Sequence, residues 1–304
     1  MGIFDRKVRQ LAEDNEGDSS RVNLAKATSE KASELVGELS GKKYTQGKQL
    51  IDNVIMFTNV AGGTGASTIA ANVAYAISTI GLSVLLIDMN IMFPVQHTNL
   101  GIDQELDKKD LVACLNGTGT IAECIDSKNK VHLLFANNRQ LNDEIACNEK
   151  IPVENFSRMI ASLRNYYDVV ILDCPMNVNS LLANQAMFEA DSIYTVWDEG
   201  SSSVINTEKV RRNLGLTGID AYTKMRIIIN KRTNVQLSKG AINRLNLELI
   251  GVLPFSVDVI DNSLRGRIFC DRGVATSQNG KAFAAGIDEI ATKVLKIGGY
   301  NPKV

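Results

Sequence analysis

Short apolar runs alternate with amphipathic stretches along most of this chain. Runs that are apolar at successive positions favour strands buried on both faces, and apolar residues at helical spacing favour the helices that cover such strands. The pattern therefore predicts an α/β protein with a doubly wound, mostly parallel sheet and helices on both faces. The predicted strands are 54–60, 83–88, 131–136, 168–173, 191–197, 226–230 and 249–253.

Helical spacing of apolar residues is clearest at 67–80, 152–165 and 282–297. The last of these helices has its apolar residues at the spacing of a core-packing face. We expect it to close the domain rather than to serve as a free lipid-binding tail. Its apolar face consists of Phe283, Ile287, Ile290, Val294 and Ile297.

Residues 1–50 differ from the rest and are predicted to be a charged extension that precedes one folded domain, residues 51–304. Two short amphipathic helices are expected there, joined by a polar linker. The first, within residues 1–12, could dock on an anionic membrane or in a partner's groove, or remain a frayed tail. The apolar faces consist of Ile3, Phe4, Val8 and Leu11 in the first helix, and Ala32, Leu35, Val36 and Leu39 in the second.

Composition narrows the class of protein. The chain has 304 residues, with 33 Lys and Arg against 34 Asp and Glu, and 44% of its residues are hydrophobic. These values are typical of a globular protein and argue against a polybasic nucleic-acid coat. The first ten residues lack the apolar core of a signal peptide, so we expect a cytoplasmic protein. Its five cysteines and two histidines show no spacing typical of a metal site or a catalytic triad.

A glycine-rich loop separates the first predicted strand from a helix. Such a loop presents backbone N–H groups and the positive end of the helix to a phosphate, although it could also be a simple tight turn. Ser67 at the helix start would by default be an N-cap, and it could also bind Mg²⁺ or phosphate. The candidate nucleotide-binding residues of the loop are Gly62, Gly63, Thr64, Gly65, Ala66, Ser67 and Thr68.

Two further predicted strands end in carboxylates, Asp88 and Asp173. A strand-end carboxylate near the centre of a sheet needs a partner, and a magnesium ligand of the Walker B type occupies such a position. We therefore predict a metal site formed by Ser67, Asp88 and Asp173.

Residues 54–297 resemble the MinD/ParA group of deviant Walker A P-loop ATPases. The loop of that group reads roughly GKGGxGK[ST]T, and this chain reads VAGGTGAST at 60–68. The resemblance implies a P-loop NTPase fold, bound ATP or ADP with Mg²⁺, and a two-fold homodimer with the nucleotide faces turned inward. It also implies that Asn230 contacts the base and that Pro254 lies beside the adenine, although Asn230 could cap its strand and Pro254 could shape a turn.

Three departures from the group's pattern concern the chemistry. The lysine that reaches the partner's nucleotide corresponds to Ala61, the phosphate-binding lysine to Ala66, and the second aspartate of the strand-end DxD to Asn90. Phosphoryl transfer depends almost wholly on positioning and charge stabilisation. We therefore expect nucleotide binding to survive, and hydrolysis to be absent or very slow, with no catalytic residue in the site.

A GGxGAST loop is similar to that of the TadZ/CpaE branch, which serves Tad pilus assembly. Further likeness lies in YDVVILD at 167–173, in Asn230-Lys231-Arg232, and in GVLPFS at 251–256. Many members of the branch carry a receiver-like domain ahead of the ATPase domain, whereas only about 50 residues precede it here. We expect the extension to take over the docking role of that domain.

The sequence therefore predicts a nucleotide-binding, non-hydrolysing scaffold that localises or helps assemble a Tad-type pilus or a related secretion or conjugation machine. Its expected partners are a second copy of the chain and assembly proteins, with recruitment to the inner face of the membrane or to the cell pole. The alternatives are a ParA-like DNA-partitioning ATPase and a MinD-like membrane-docked regulator, and both cycles need hydrolysis. We do not expect DNA binding, although a basic face could form from Arg211, Arg212, Arg265, Arg267 and Arg272.

Overall fold

A sheet of parallel strands forms the centre of the fold in the computed structural model, which describes residues 52–103, 108–136, 153–175, 180–216, 218–233, 239–271 and 274–300. The predicted extension at 1–50 and its two helices lie outside these ranges. The strands are β1 (Val54–Asn59), β2 (Val84–Asp88), β3 (Asp126–Lys128), β4 (Val131–Leu134), β5 (Val169–Asp173), β6 (Ser192–Trp197), β7 (Met225–Arg232) and β8 (Glu248–Pro254).

The strands lie in the order β3-β4-β2-β5-β1-β6-β7-β8. All neighbouring pairs are parallel except β3 and β4, which pair antiparallel at one edge. The carboxyl ends of β1, β2, β5, β7 and β8 therefore meet at one edge of the sheet, where ligands bind in folds of this kind.

Helices connect the strands and cover the sheet. They are α1 (Ala66–Thr79), α2 (Gln96–Leu100), α3 (Leu111–Leu115), α4 (Ile121–Cys124), α5 (Val153–Tyr166), α6 (Leu181–Glu189), α7 (Ser201–Leu216), α8 (Ala221–Lys224), α9 (Lys239–Leu245), α10 (Val257–Leu264) and α11 (Gln278–Ile297). No helix among these described residues is long and apolar enough to cross a membrane.

Each face of the sheet has its own hydrophobic core. On one face, Ile69 of α1 and Ile287 of α11 are fully buried in a common cluster. On the other, Phe156 and Ile160 of α5 pack with residues of α6 and α7. Burying one such side chain contributes about 1.5–3 kcal/mol to the stability of the fold. Each face of the sheet is therefore stabilised by its own layer of helices. The predicted doubly wound sheet with helices on both faces is confirmed.

Candidate functional site

A cavity of about 420 Å³ opens at the carboxyl ends of the central strands. Its volume falls within the range of small-molecule pockets, about 300–1,000 Å³. The loop before α1, the ends of β1, β5, β7 and β8, and one face of α10 form its wall. The lining residues are Asn59, Gly63, Gly65, Ala66, Ser67, Thr68, Asn90, Asp173, Pro175, Asn230, Lys231, Pro254, Phe255, Ser256, Val259, Ile260, Ser263, Leu264 and Phe283.

The loop delivers the beginning of α1 to this cavity. Gly65 is the N-cap residue with φ 92°, a conformation that a residue with a side chain rarely adopts, and no described side chain caps the helix. The first N–H groups of a helix have no partner within it, so those at the start of α1 can bind an anion. The expected N-cap role of Ser67 is wrong, because Ser67 lies within the first turn, two residues after Gly65.

The end of β7 holds the loop in place through two successive side chains. Asn230 donates from Nδ2 to the carbonyl oxygen of Thr64 at 2.8 Å, and Lys231 donates from Nζ to that of Gly63. Successive side chains of a regular strand point to opposite faces, but β7 has a register shift against β8 here and Lys231 has φ 56°. The irregularity turns both side chains toward the loop.

Asp88 is fully buried and its carboxylate is engaged by backbone. Its oxygens accept the N–H of Asn90 at 3.0 Å, of Val95 at 2.7 Å and of Gln96 at 2.9 Å. Burial, and to a smaller extent the negative charge of Asp173, raises the pKa of Asp88 to about 7, and the three hydrogen bonds oppose this rise. The carboxylate therefore fixes the segment between β2 and α2, and it does not lie on the cavity wall.

Asp173 lies beside Asp88, because the two are register partners on β5 and β2. Burial raises the pKa of Asp173 to about 6, and hydrogen bonds from Gln96 and from the Ser67 hydroxyl act in the opposite direction. Gln96 donates from Nε2 to Asp173 Oδ2 at 2.6 Å. Ser67 and Asp173 thus meet at the cavity, as expected of a metal pair, but a side-chain amide is already bonded to the carboxylate.

Ser256 contributes a buried polar atom without a partner. It is 6% exposed, it lines the cavity, and its Oγ makes no hydrogen bond within the described part of the chain. A buried hydroxyl without a partner costs roughly 1–3 kcal/mol, so such a group indicates a ligand that would satisfy it. This atom is the observation that best fits a polar ligand in the cavity.

The structure brings most of the predicted binding residues together. Gly63, Gly65, Ala66, Ser67, Thr68, Asp173, Asn230 and Pro254 all lie on the cavity wall. The wall does not include Gly62, Thr64 or Asp88, of which Thr64 and Asp88 are fully buried. The roles of all these residues in binding remain predictions.

Several polar residues of the site were not singled out from the sequence as ligand-binding, among them Gln96, Lys231 and Ser256. Gln96 follows the end of β2 by eight residues, where neither motif nor periodicity indicates the direction of a side chain. Ser256 ends the GVLPFS segment, but the likeness of that segment does not indicate where the serine hydroxyl points. Lys231 could have been noticed, because it follows Asn230 directly. One residue of the predicted basic face is excluded from it, since Arg211 is 4% exposed and donates to the carbonyl oxygen of Leu245.

Comparison with known proteins finds a matching family and similar proteins. The family described as AAA domain matches residues 52–238 of this chain. The septum site-determining protein MinD of Thermotoga maritima is 25% identical over 239 residues, which span 76% of this chain and 83% of that protein.

Solved structures share the arrangement of sheet and helices with this chain. MinD of Pyrococcus horikoshii, complexed with Mg-ADP, superposes with a TM-score of 0.67 at 22% identity, over 81% of this chain and 97% of that one. A ParA family ATPase from Chlorobium tepidum gives a TM-score of 0.65 at 19% identity, over 80% of this chain and 99% of that one.

Proposed function

The chain belongs to the AAA domain family and has the fold of the MinD and ParA P-loop ATPases, and from that premise we propose that it is a nucleotide-binding scaffold which hydrolyses ATP negligibly. The observation that carries the proposal is the cavity at the beginning of α1, whose loop offers backbone N–H groups but no lysine. The bound molecule is ATP or ADP.

Several features support nucleotide binding. The unpaired N–H groups at the start of α1 suit a phosphate, and the hydroxyl of Ser256 suits a polar group elsewhere on the ligand. Asn230 and Pro254 lie on the wall, where they can contact the base. The MinD structure with Mg-ADP has the same fold, and this supports an adenine nucleotide as the ligand.

Other features disfavour hydrolysis. Ala61 and Ala66 bring no positive charge to the phosphates, and Asn90 lines the cavity with an amide that cannot act as a carboxylate base. Lys231 is the one cation on the described wall, and its ammonium group is bonded to the carbonyl oxygen of Gly63. Since phosphoryl transfer depends on charge stabilisation at the transferred group, these side chains favour retention of the nucleotide.

A scaffold that keeps its nucleotide suits the localisation or assembly of a Tad-type pilus or a related secretion or conjugation machine. The loop and the segments 167–173 and 251–256 support this role through their likeness to the TadZ/CpaE branch. Its partners are a second copy of the chain and assembly proteins, at the inner face of the membrane or the cell pole. ParA-like partitioning and MinD-like membrane cycling are the alternatives, and both require hydrolysis.

The test of the proposal is the nucleotide content and turnover of the purified protein. Denaturation followed by chromatography identifies a retained nucleotide, and calorimetry with added ATP measures binding to the emptied site. Steady-state phosphate release should stay at the background of a protein-free sample. Release at the rate of an ordinary MinD or ParA protein would support one of the cycling alternatives instead.

A substitution within the loop tests the placement of the phosphates. Ala66→Lys introduces the ammonium group that the loop lacks, so we expect ATP to bind about tenfold more tightly or better. Ala113→Lys is the matched control, since Ala113 lies on α3 and does not line the cavity. An unchanged ATP affinity in a folded Ala66→Lys variant would show that the loop does not hold the phosphates.

The docking role of the N-terminal extension needs a separate experiment. A fluorescent fusion lacking residues 1–20 should lose its position in the cell while the purified protein still binds ATP. If the truncated protein reaches the same place and retains the same partners, the segment is not a docking element.

A further inference from the structure

Gln96 joins three parts of the site through one buried side chain. It is fully buried at the start of α2. Its Nε2 donates to Asp173 Oδ2 at 2.6 Å and to the carbonyl oxygen of Ser67 at 2.9 Å. The end of β5 and the first turn of α1 are therefore linked by a residue that belongs to neither.

The amide of Gln96 is held in its orientation from the other side. Its Oε1 accepts from Asn99 Nδ2 at 3.2 Å, and Asn99 Oδ1 in turn accepts from the hydroxyl of Ser263 at 2.9 Å. Because the carbonyl oxygen of Ser67 can only accept a hydrogen bond, the end of the amide that contacts it and Asp173 must be Nε2. The chain of bonds ends on α10, so two separate helices fix the donor against the carboxylate.

The predicted metal ligands are consequently engaged by donors of the protein itself. Asp88 accepts three backbone N–H groups, and Asp173 accepts Gln96 and Ser67. Asn90 is neutral, and its Oδ1 accepts the N–H of Phe93 at 3.2 Å. Magnesium requires oxygen ligands at about 2.0–2.1 Å, and an N–H donor aimed at a carboxylate oxygen competes for the same lone pair. These hydrogen bonds oppose direct coordination of a resident Mg²⁺ by Asp88 and by Oδ2 of Asp173.

We propose that Gln96 takes the place of a divalent cation against Asp173, so that this protein binds its nucleotide without magnesium. The inference rests on the proposed nucleotide site and adds that a neutral amide N–H, rather than a cation, is the partner of Asp173. Gln96 is a positioning residue, because it acts through Asp173 and Ser67 and is not itself on the cavity wall. The phosphates are held by the N–H groups at the start of α1.

The experiment compares ATP affinity in excess MgCl₂ and in EDTA by calorimetry. For the wild-type chain we expect the two dissociation constants to agree within about threefold. Gln96→Ala frees the oxygen of Asp173, so its ATP affinity should become at least about tenfold tighter in MgCl₂ than in EDTA. In the absence of nucleotide, MgCl₂ should raise the melting temperature of Gln96→Ala but not that of the wild type.

Gln185→Ala is the control, because Gln185 also uses its Nε2 for two hydrogen bonds but makes them to Ser157 and Glu189, away from the cavity. It should behave as the wild type in both solutions. Wild-type binding that needs MgCl₂ by tenfold or more overturns the inference while leaving the proposed function intact. Equal behaviour of Gln96→Ala and the wild type also overturns it. Absence of ATP binding by the wild type in both solutions instead overturns the proposed function and the inference together.

Discussion

Asp88 and Asp173 are buried carboxylates side by side, and their ionisation opposes folding. Both folded-state pKa values, about 7 and about 6, lie above the unfolded value of 3.8. The folded protein therefore binds these protons more tightly than the unfolded chain does. We expect these two groups to make the free energy of unfolding increase as the pH falls from about 8 through 7 and 6, with the full gain reached near the unfolded value.

Asp173→Asn tests this expectation, since it removes one of the two adjacent charges. Urea unfolding in EDTA should show higher stability of the variant at pH 8 and a smaller gain on acidification than in the wild type. Asp258→Asn is the contrasting variant, because Asp258 is half-buried and hydrogen bonds from Ser277 and Thr276 lower its pKa, so the effect of pH on its contribution has the opposite sign. A variant at residue 173 that loses stability at pH 8 would mean that its hydrogen bonds outweigh the repulsion.

Substitutions at two loop glycines distinguish the cost of backbone strain from the cost of a steric contact. Gly63 and Gly65 both have positive φ, 76° and 92°, so alanine at either position costs about 1–2 kcal/mol in strain. At Gly63 a Cβ would meet nothing within 4 Å, whereas at Gly65 it would lie 2.5 Å from Asn230 Nδ2. We therefore expect Gly65→Ala to lower the free energy of unfolding by about 1 kcal/mol more than Gly63→Ala, because it also breaks the bond between Asn230 and Thr64. Equal losses of unfolding free energy for the two variants, measured in urea, would contradict the close contact with Asn230.

Ser256 and Ser277 are both N-cap residues, and they differ in their hydrogen bonds. Ser277 accepts the N–H of Gly280 at the start of α11 at 3.0 Å, whereas Ser256 makes no such bond at the start of α10. We expect Ser277→Ala to cost about 1 kcal/mol, and Ser256→Ala to cost nothing or to stabilise the protein, because the buried Ser256 hydroxyl has no partner to lose. Thermal unfolding of the pair without nucleotide measures the difference. A loss at Ser256 equal to that at Ser277 would indicate a bond that the structure lacks.

The elements that could be predicted are those whose buried residues form an apolar pattern in the sequence. The apolar runs located β1, β2, β4 and the other central strands to within about two residues at each end. The edge strand Asp126–Lys128 was missed because its residues are polar and largely exposed, so it leaves no apolar run. The final helix begins at Gln278, four residues before its predicted start, since its first turn depends on the cap of Ser277 rather than on an apolar face.

The site could be predicted where a motif fixes the backbone and not where a distant contact fixes a side chain. The loop and the strand-end carboxylates were found because the order of strand, glycine-rich turn and helix determines where they lie. Gln96 was missed because its bond to Asp173 spans 77 positions of the sequence. The turn at the end of β7 likewise depends on the register shift against β8, which no local pattern indicates.

The mouth of the cavity carries a group of exposed apolar side chains on one surface of the molecule. Phe255, Ile260 and Leu264 line the cavity and are 39%, 45% and 80% exposed. Exposed apolar side chains gathered in this way are typical of an interaction surface. The expected dimer, with its nucleotide faces turned inward, would cover them, and two-fold dimers are the commonest soluble oligomers.

Dimerisation through these exposed apolar side chains, the apolar rim, should not depend on ATP, because Ala61 cannot reach the nucleotide of the partner as a lysine would. Sedimentation should therefore give a dimer of the wild type with and without ATP. Leu264→Asp places a charge within the apolar rim, so the dimer should dissociate at least about tenfold more readily. Leu216→Asp is the matched control, since Leu216 is 83% exposed on α7 and does not line the cavity. A wild-type protein that is monomeric without ATP and dimeric with it would show that dimerisation depends on the nucleotide. Equal effects of the two substitutions would show that the interface lies elsewhere.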